Sequence, residues 1–209
     1  PLSDDQARRL KELVADLDDR QLDWVSGFLA GLRAAGGEQP AAMDEPAAEN
    51  APSLTVLYGS QTGNAEGVAE MLGEQARARG FQAQVVDLAD YKARNLKNES
   101  FVAVITSTHG EGDPPDNALD FHEFLHGRKA PKLDGVHFGV LALGDTSYEH
   151  FCQTGRDFDA RLRELGATAL TERVDCDVDF DDPAEAWVES LLQAVEAQAG
   201  EQVSATQTA

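Results

Sequence analysis

The chain has 209 residues, with 38 Asp and Glu against 17 Lys and Arg, and its formal net charge of -21 disfavours nucleic acid, whose phosphates reward basic surfaces. With 42% hydrophobic content it can bury one sizeable core and carry appendages, and hardly two full domains. The two cysteines, Cys152 and Cys176, show no CxxC or ligand spacing, and neither a signal peptide nor an apolar run of membrane-spanning length is present, so a soluble cytoplasmic protein without a metal centre is expected.

In chain order, Ser3 to Leu17 and Asp19 to Leu32 read as two amphipathic helices. Capping-box patterns stand at Ser3 with Gln6 and at Asp18 with Gln21, and Leu10, Leu13, Val14, Leu17, then Leu22, Val25, Phe28, Leu29 and Leu32 supply apolar stripes. Residues 1–33 are therefore expected to be a helical segment. Residues 34–52, rich in Ala, Pro, Gly and acid, have no apolar period and read as a flexible linker. An α/β domain is expected over 53–199, and the small polar residues 200–209 read as a tail or a further linker.

Within that domain, Leu54 to Tyr58 reads as a buried strand and Ala65 to Arg79 as a helix with Val68, Ala69, Leu72 and Ala76 at helical spacing. Between them Ser60, Gln61, Thr62, Gly63, Asn64 and Ala65 form a hydroxyl, amide and glycine loop at a helix N-terminus, where orphan N–H groups and the dipole attract an anion without a cation. No Lys follows Gly63, so the Walker pattern and nucleotide triphosphate hydrolysis are disfavoured. Two further polar loops follow two further apolar strands. Phe101 to Thr106 leads into Ser107, Thr108, His109, Gly110, Glu111, Gly112 and Asp113. Val136 to Leu143 leads into Gly144, Asp145, Thr146, Ser147, Tyr148, Glu149, His150, Phe151 and Cys152. Such apolar strands suit a parallel sheet covered on both faces. Strands at Gln82 to Val86 and Ala169 to Val174, with helices at Asn117 to Leu125 and Gly155 to Leu165, complete five β segments alternating with helices. The pattern predicts a doubly wound five-stranded parallel sheet whose three loops meet in one crevice at the switch point.

A phosphate on the first loop needs a head group on the other two. Tyr148 can stack on a flat ring, and Thr108, Gly110, Gly144 and Asp145 offer backbone and hydroxyl groups to ring heteroatoms, a layout that fits flavin mononucleotide. The stretches S-Q-T-G-N-A at 60–65, S-T-H-G-E-G-D at 107–113 and L-G-D-T-S-Y-E-H-F-C at 143–152 resemble the FMN loops of the diflavin reductases. Together with the segment Gln21 to Gly27, the third loop is most similar to the flavoproteins of bacterial NADPH-sulfite reductases. That resemblance implies a flavodoxin-like fold with strand order 2-1-3-4-5, FMN phosphate on Ser60 to Ala65, and the ring between the second and third loops, with Leu143 to Cys152 around it and Tyr148 stacked on one face. It also implies electron transfer from an NADPH-reduced FAD module to a haemoprotein subunit in sulfite assimilation, with the segment before the FMN domain serving subunit assembly. His109 departs from the pattern, where Gln is expected. The family's FAD and NADPH modules are not among the 209 residues, so NADPH oxidation is not assigned to them. Other readings are a free-standing flavodoxin and a non-redox assembly module.

Other motifs fare less well. His122-Glu123-Phe124-Leu125-His126 matches H-E-x-x-H, but the same helix must bury Ala118, Phe121 and Leu125, and no third zinc ligand suggests itself. The run Asp175 to Asp179 starts like a calcium loop, yet Phe180 stands where glycine is needed and Ala186 where the bidentate Glu belongs. Cys152 reads as buried beside a cofactor, since no Cys-His-Asp arrangement is specified. Acids at Glu111, Asp113, Asp116 and Asp120 and from Asp175 to Asp182 are expected to suit docking to a basic electron acceptor and to make the bound flavin a strong reductant.

Overall fold

A computed structural model describes residues 51–207, with side chains described through Glu201. The helical segment expected at 1–33 and most of the expected linker lie outside the described residues.

The order begins with β1 (Ser53–Gly59), α1 (Asn64–Ala78), β2 (Gln82–Asp87), a 3-10 turn (Ala93–Asn98) and β3 (Phe101–Ser107). A second 3-10 turn (Asp116–Ala118) leads into α2 (Leu119–His126), followed by β4 (His137–Leu143), α3 (Gln153–Glu164), β5 (Thr168–Ala169), β6 (Val174–Cys176) and α4 (Asp181–Gln207). All strand pairings are parallel and the order is β2-β1-β3-β4-β5, with β6 also on β4. This is the 2-1-3-4-5 order expected from the sequence, with the fifth position in two pieces.

Strands alternate their side chains between the two faces of a sheet, and here both faces are apolar. Leu54, Val56, Ala103, Ile105, Leu141 and Leu143 point to one side, where α1 and α4 cover them with Val68, Leu72, Trp187 and Leu191. Leu57, Val102, Val104, Phe138 and Val140 point to the other, under Phe121 and Leu125 of α2 and Phe158 and Leu162 of α3. Two glycines let helices approach closely. A Cβ on Gly139 would lie 2.7 Å from Leu191 Cδ1 of α4, and one on Gly155 of α3 would lie 2.3 Å from Ala142 Cβ of β4.

Two elements differ from expectation. The single strand expected at Ala169 to Val174 is broken: Thr168 and Ala169 pair with His137 and Phe138, and the ladder resumes only where Val174 pairs with Leu141. More edge-strand residues than β4 residues lie between those pairings, a bulge of the kind that edges tolerate. Arg173 in the detour is held by Asp175 at 2.7 Å and Asp159 at 3.5 Å. The last helix runs from Asp181 through Gly200 to Gln207, past Ala199, where the sequence suggested that the domain gives way to a tail. Its inner stripe is Ala184, Trp187, Val188, Leu191, Leu192, Val195 and Ala199, a helical period that buries one face.

Candidate functional site

The three polar loops leave the carboxyl ends of the neighbouring strands β1, β3 and β4, where the chain direction across the sheet reverses between β1 and β3. The first loop turns on Gly63, whose φ of 90° lies in the left-handed region that glycine adopts without penalty. Ser60 Oγ accepts a hydrogen bond from Gly63 N at 2.9 Å. The first intrahelical bond runs from Gly67 N to Gly63 O at 2.9 Å, which leaves the N–H groups of Asn64, Ala65 and Glu66 ahead of the ladder, and no side chain caps this end. Gln61, Thr62, Gly63 and Asn64 are exposed, whereas Ala65 is fully buried and can offer only its backbone. Glu66 accepts a hydrogen bond from Tyr58 Oη at 3.2 Å. Burial first, and that bond second, push the Tyr58 hydroxyl up to about 12.

The second loop is closed by His109 N to Asp113 O at 2.8 Å and Asp113 N to His109 O at 2.9 Å, with Gly110 and Gly112 at positive φ. Thr108 N extends the β3–β4 ladder by donating to Leu143 O at 3.1 Å. Ser107 Oγ donates to Gly59 O at 3.4 Å and ties this loop to the first. A Cβ on Gly112 would sit 2.8 Å from His150 Cβ, so the second and third loops touch. His109 is exposed.

The third loop is pinned from the fifth strand position. Gly144 N donates to Cys176 O at 2.9 Å, and Asp177 accepts from Thr146 N at 3.1 Å, from Thr146 Oγ1 and from Val178 N at 2.8 Å. These donors, the Thr146 hydroxyl foremost, hold the Asp177 carboxyl below its ordinary range. Asp145 turns the loop by accepting Ser147 N at 2.8 Å, and Tyr148 N donates to Asp145 O at 3.1 Å. Tyr148 is 54% exposed, and among the described residues only Leu119 and Val178 are other large hydrophobic side chains so placed. Thr146, Ser147, Glu149 and His150 are also exposed, Phe151 is half-buried, and Leu143 and Cys152 are buried. Cys152 enters α3 at φ 55°. Burial pushes its thiol up to about 12, with Asp175 adding to the shift, and that of Cys176 up to about 11. Neither thiol is poised as a nucleophile.

Of the residues singled out in the sequence, the exposed hydroxyls, amides and Tyr148 thus surround one end of the sheet, while Ala65, Leu143 and Cys152 support it from beneath. The sequence missed Asn117, whose Oδ1 accepts Ser60 N at 3.0 Å, and Asp177 as the anchor of the third loop. The signal for Asn117 was a polar residue just after the second loop, read only as a helix start. His122 and His126 stack on α2 with ring centroids 4.2 Å apart, and His126 Nδ1 donates to His122 O at 2.9 Å. His122 Nε2 lies 3.5 Å from Asp157, too far for a firm hydrogen bond, and among the described residues no cluster of His, Cys, Asp or Glu has the geometry of a metal site.

An open parallel sheet in the order 2-1-3-4-5, with three loops at the carboxyl ends of its central strands, defines the flavodoxin-like class. The chain belongs to the flavodoxin family, whose model matches residues 56–187, and FMN is the cofactor of that family. A flavodoxin of Streptococcus pneumoniae is 30% identical and superposes with a TM-score of 0.61, covering 71% of this chain and 99% of that one. A variant flavodoxin of Pseudomonas aeruginosa gives 28% identity and the same TM-score of 0.61 over 69% of this chain and 99% of the other. Among curated relatives, the sulfite reductase [NADPH] flavoprotein alpha-component of Bacillus subtilis is 50% identical over 92% of this chain and 33% of its own length. The protein of the same name from Aliivibrio fischeri is 48% identical over 98% of this chain and 35% of its own length. The chain therefore spans about a third of the length of the curated relatives it matches. The residues present suit FMN. A monoester phosphate would meet uncapped N–H groups and hydroxyls at a helix N-terminus, and a flat ring would find the exposed Tyr148.

Proposed function

We propose that the chain is the FMN-binding electron-transfer module of an NADPH-sulfite reductase flavoprotein. It takes electrons from an FAD and NADPH module of the same polypeptide and passes them to a haemoprotein subunit, in the cytoplasm. The observation that carries this reading is the meeting of three cation-free loops at the carboxyl ends of β1, β3 and β4. The identity to the named flavoproteins supports the choice of redox partners.

In this reading Ser60, Thr62 and Asn64 supply side-chain donors to the phosphate, and the backbone of Gln61, Gly63 and Ala65 completes the cradle. Ser107 to Gly110 and Gly144 to Phe151 line the ring, and the buried Leu143 and Cys152 support that lining from beneath. Tyr148 covers one face, and the second loop shapes the edge opposite. FMN, when bound, would supply the redox chemistry, since a flavin can hold one electron or two. The chain's own residues bind it, exclude water from part of the ring and surround it with negative charge. No cation stands in the first loop, so the phosphate charge is balanced by dipoles alone, and added electrons meet an acidic field. Residues 1–33 are assigned to subunit assembly, residues 34–52 to a connection, and residues 53–199 to the FMN domain.

The test is direct. Mass spectrometry of the cofactor released from the purified chain should find FMN, non-covalent and equimolar, and no FAD. The photoreduced chain, mixed in stopped flow with a sulfite reductase haemoprotein, should be oxidised by it faster than by an unrelated haemoprotein. Release of FAD, or no flavin even after reconstitution, refutes the cofactor assignment, and equal rates with both acceptors would favour a free-standing carrier.

A further inference from the structure

On the reading that the first loop holds a flavin phosphate, we infer that Asn117 is a positioning residue for that loop, acting through the backbone of Ser60. Asn117 lies in the 3-10 turn Asp116–Ala118, outside the three loops, and its half-buried side chain makes two bonds of opposite sense. Its Oδ1 accepts from Ser60 N at 3.0 Å, and its Nδ2 donates to Asp87 Oδ2 at 3.0 Å. The other carboxylate oxygen of Asp87 accepts Ala89 N at 2.8 Å. An ionised carboxylate only accepts, so the amide nitrogen must face Asp87 and the amide oxygen must face Ser60. The chemistry of the partners thus fixes the orientation of the amide.

The approach is allowed by Gly59: a Cβ there would lie 2.9 Å from Ala118 Cβ, so any larger residue would push the turn away from β1. The neighbouring pair reinforces the clasp, with Asp116 N donating to Gln61 Oε1 at 3.3 Å and Gln61 Nε2 reaching Asp116 at 3.5 Å. Ser60 is the pivot of the loop, because its Oγ in turn accepts Gly63 N at 2.9 Å just before the exposed donors at the start of α1. The chain Ala89–Asp87–Asn117–Ser60–Gly63 therefore links the end of β2 to Ser60 and Gly63 of the proposed phosphate cradle, and Asn117 itself stands outside that cradle. Asn117 sets where the loop donors point, and phosphate binding depends on it more than ring binding does.

The experiment uses the full chain stripped of flavin and titrated by fluorescence quenching with FMN and with riboflavin, which differ only in the phosphate. Asn117→Ala should lower the ratio of FMN to riboflavin affinity by about tenfold, the weight of about one hydrogen bond, while leaving riboflavin binding unchanged. Asn117→Asp keeps the acceptor for Ser60 N but sets two carboxylates against each other at Asp87. Its FMN defect relative to the unmodified chain should be present at about pH 8 and should shrink at about pH 5, where one of two facing carboxylates takes up a proton and can donate to the other. The Asn117→Ala defect should be the same at both values. An unchanged ratio in Asn117→Ala, equal losses for both flavins, or an Asn117→Asp defect that ignores pH each overturns the positioning role. An unmodified chain that bound FMN and riboflavin alike would remove the phosphate reading itself, and this inference with it.

Discussion

Replacing Tyr148 by Ala isolates the ring contact from the phosphate contact. A tyrosine side chain offers about 150–250 Å² to its surroundings, and Tyr148 is 54% exposed. Roughly half of that area, on the order of 100 Å², is thus free for a flat partner. At about 25 cal/mol per Å² complete covering would be worth about 2.5 kcal/mol, but a stacked ring covers one face only, which leaves about 1–2 kcal/mol. FMN and riboflavin should therefore both bind about 5- to 30-fold more weakly to Tyr148→Ala. The visible spectrum of bound FMN should shift as the stacked phenol is lost. Tyr148→Phe should retain most of the affinity, because the phenol oxygen takes no part in the covered area. The fold should be unaffected, since the side chain already faces solvent. The assay is a paired fluorescence titration with far-ultraviolet circular dichroism as control. An unchanged affinity for both flavins would falsify the placement of Tyr148 on the ring, and a loss confined to FMN would move it to the phosphate.

Thr62→Val removes one exposed hydroxyl from the first loop and should weaken FMN about 3- to 10-fold while sparing riboflavin, as the same titrations would show. Gly155→Ala places a Cβ 2.3 Å from Ala142 Cβ and should lift α3 off β4, at a cost of about 1–3 kcal/mol measurable by urea unfolding; a neutral result would mean that α3 shifts freely. His122 is held below its ordinary value, by burial first and by His126 next, with Asp157 opposing. Its folded form resists the proton that the unfolded form accepts near the ordinary value of 6.5, so this group contributes stability above that pH and loses it as pH falls. His122→Gln should accordingly lose less of its melting temperature than the unmodified chain between pH 7.5 and pH 5.5, and parallel curves would contradict the assignment. Asp177, depressed by its three donors, contributes order to the third loop above the unfolded carboxylate range and loses it as pH falls through the folded value. Asp177→Asn should speed hydrogen exchange at the Thr146 and Val178 amides at neutral pH, with equal protection in both proteins counting against the clamp.

The central strands and the loops behind them were legible because both signals are local. Runs such as Phe101 to Thr106 have no polar face, which only a sheet covered on both sides permits, and the change to Ser, Thr, Gly and Asn marks where each run ends. What stayed hidden depends on partners far along the chain. The bond between Ser60 and Asn117 joins residues 57 positions apart, and a sequence reading sees only that each is polar. Likewise the Asp177 clamp on Thr146 looked like one more acid in a run, and the break between β5 and β6 is set by pairing with β4. The last helix is a different case. Its apolar stripe from Ala184 to Ala199 was present at helical spacing, but no separate helix was read there, and the small polar residues after it suggested a tail. Exposure sorted the loop residues further, because Ala65 and Cys152 belong to the motifs and yet have no side-chain surface to offer a ligand.

The buried thiol beside the third loop bears on how such a protein survives its own chemistry. A reduced flavin bound here would pass stray electrons to dissolved oxygen, and the peroxide so formed would reach the loop first. Peroxide attacks thiolates, and a thiol kept protonated to about pH 12 presents almost none at neutral pH. With no exposed surface and its Sγ directed at Cys176 O, Cys152 gives the loop a compact apolar floor without giving an oxidant a target. Moving that sulfur to the exposed position of Ser147 would place a thiol in the path of the oxidant, and the loop would then age with every turnover in air.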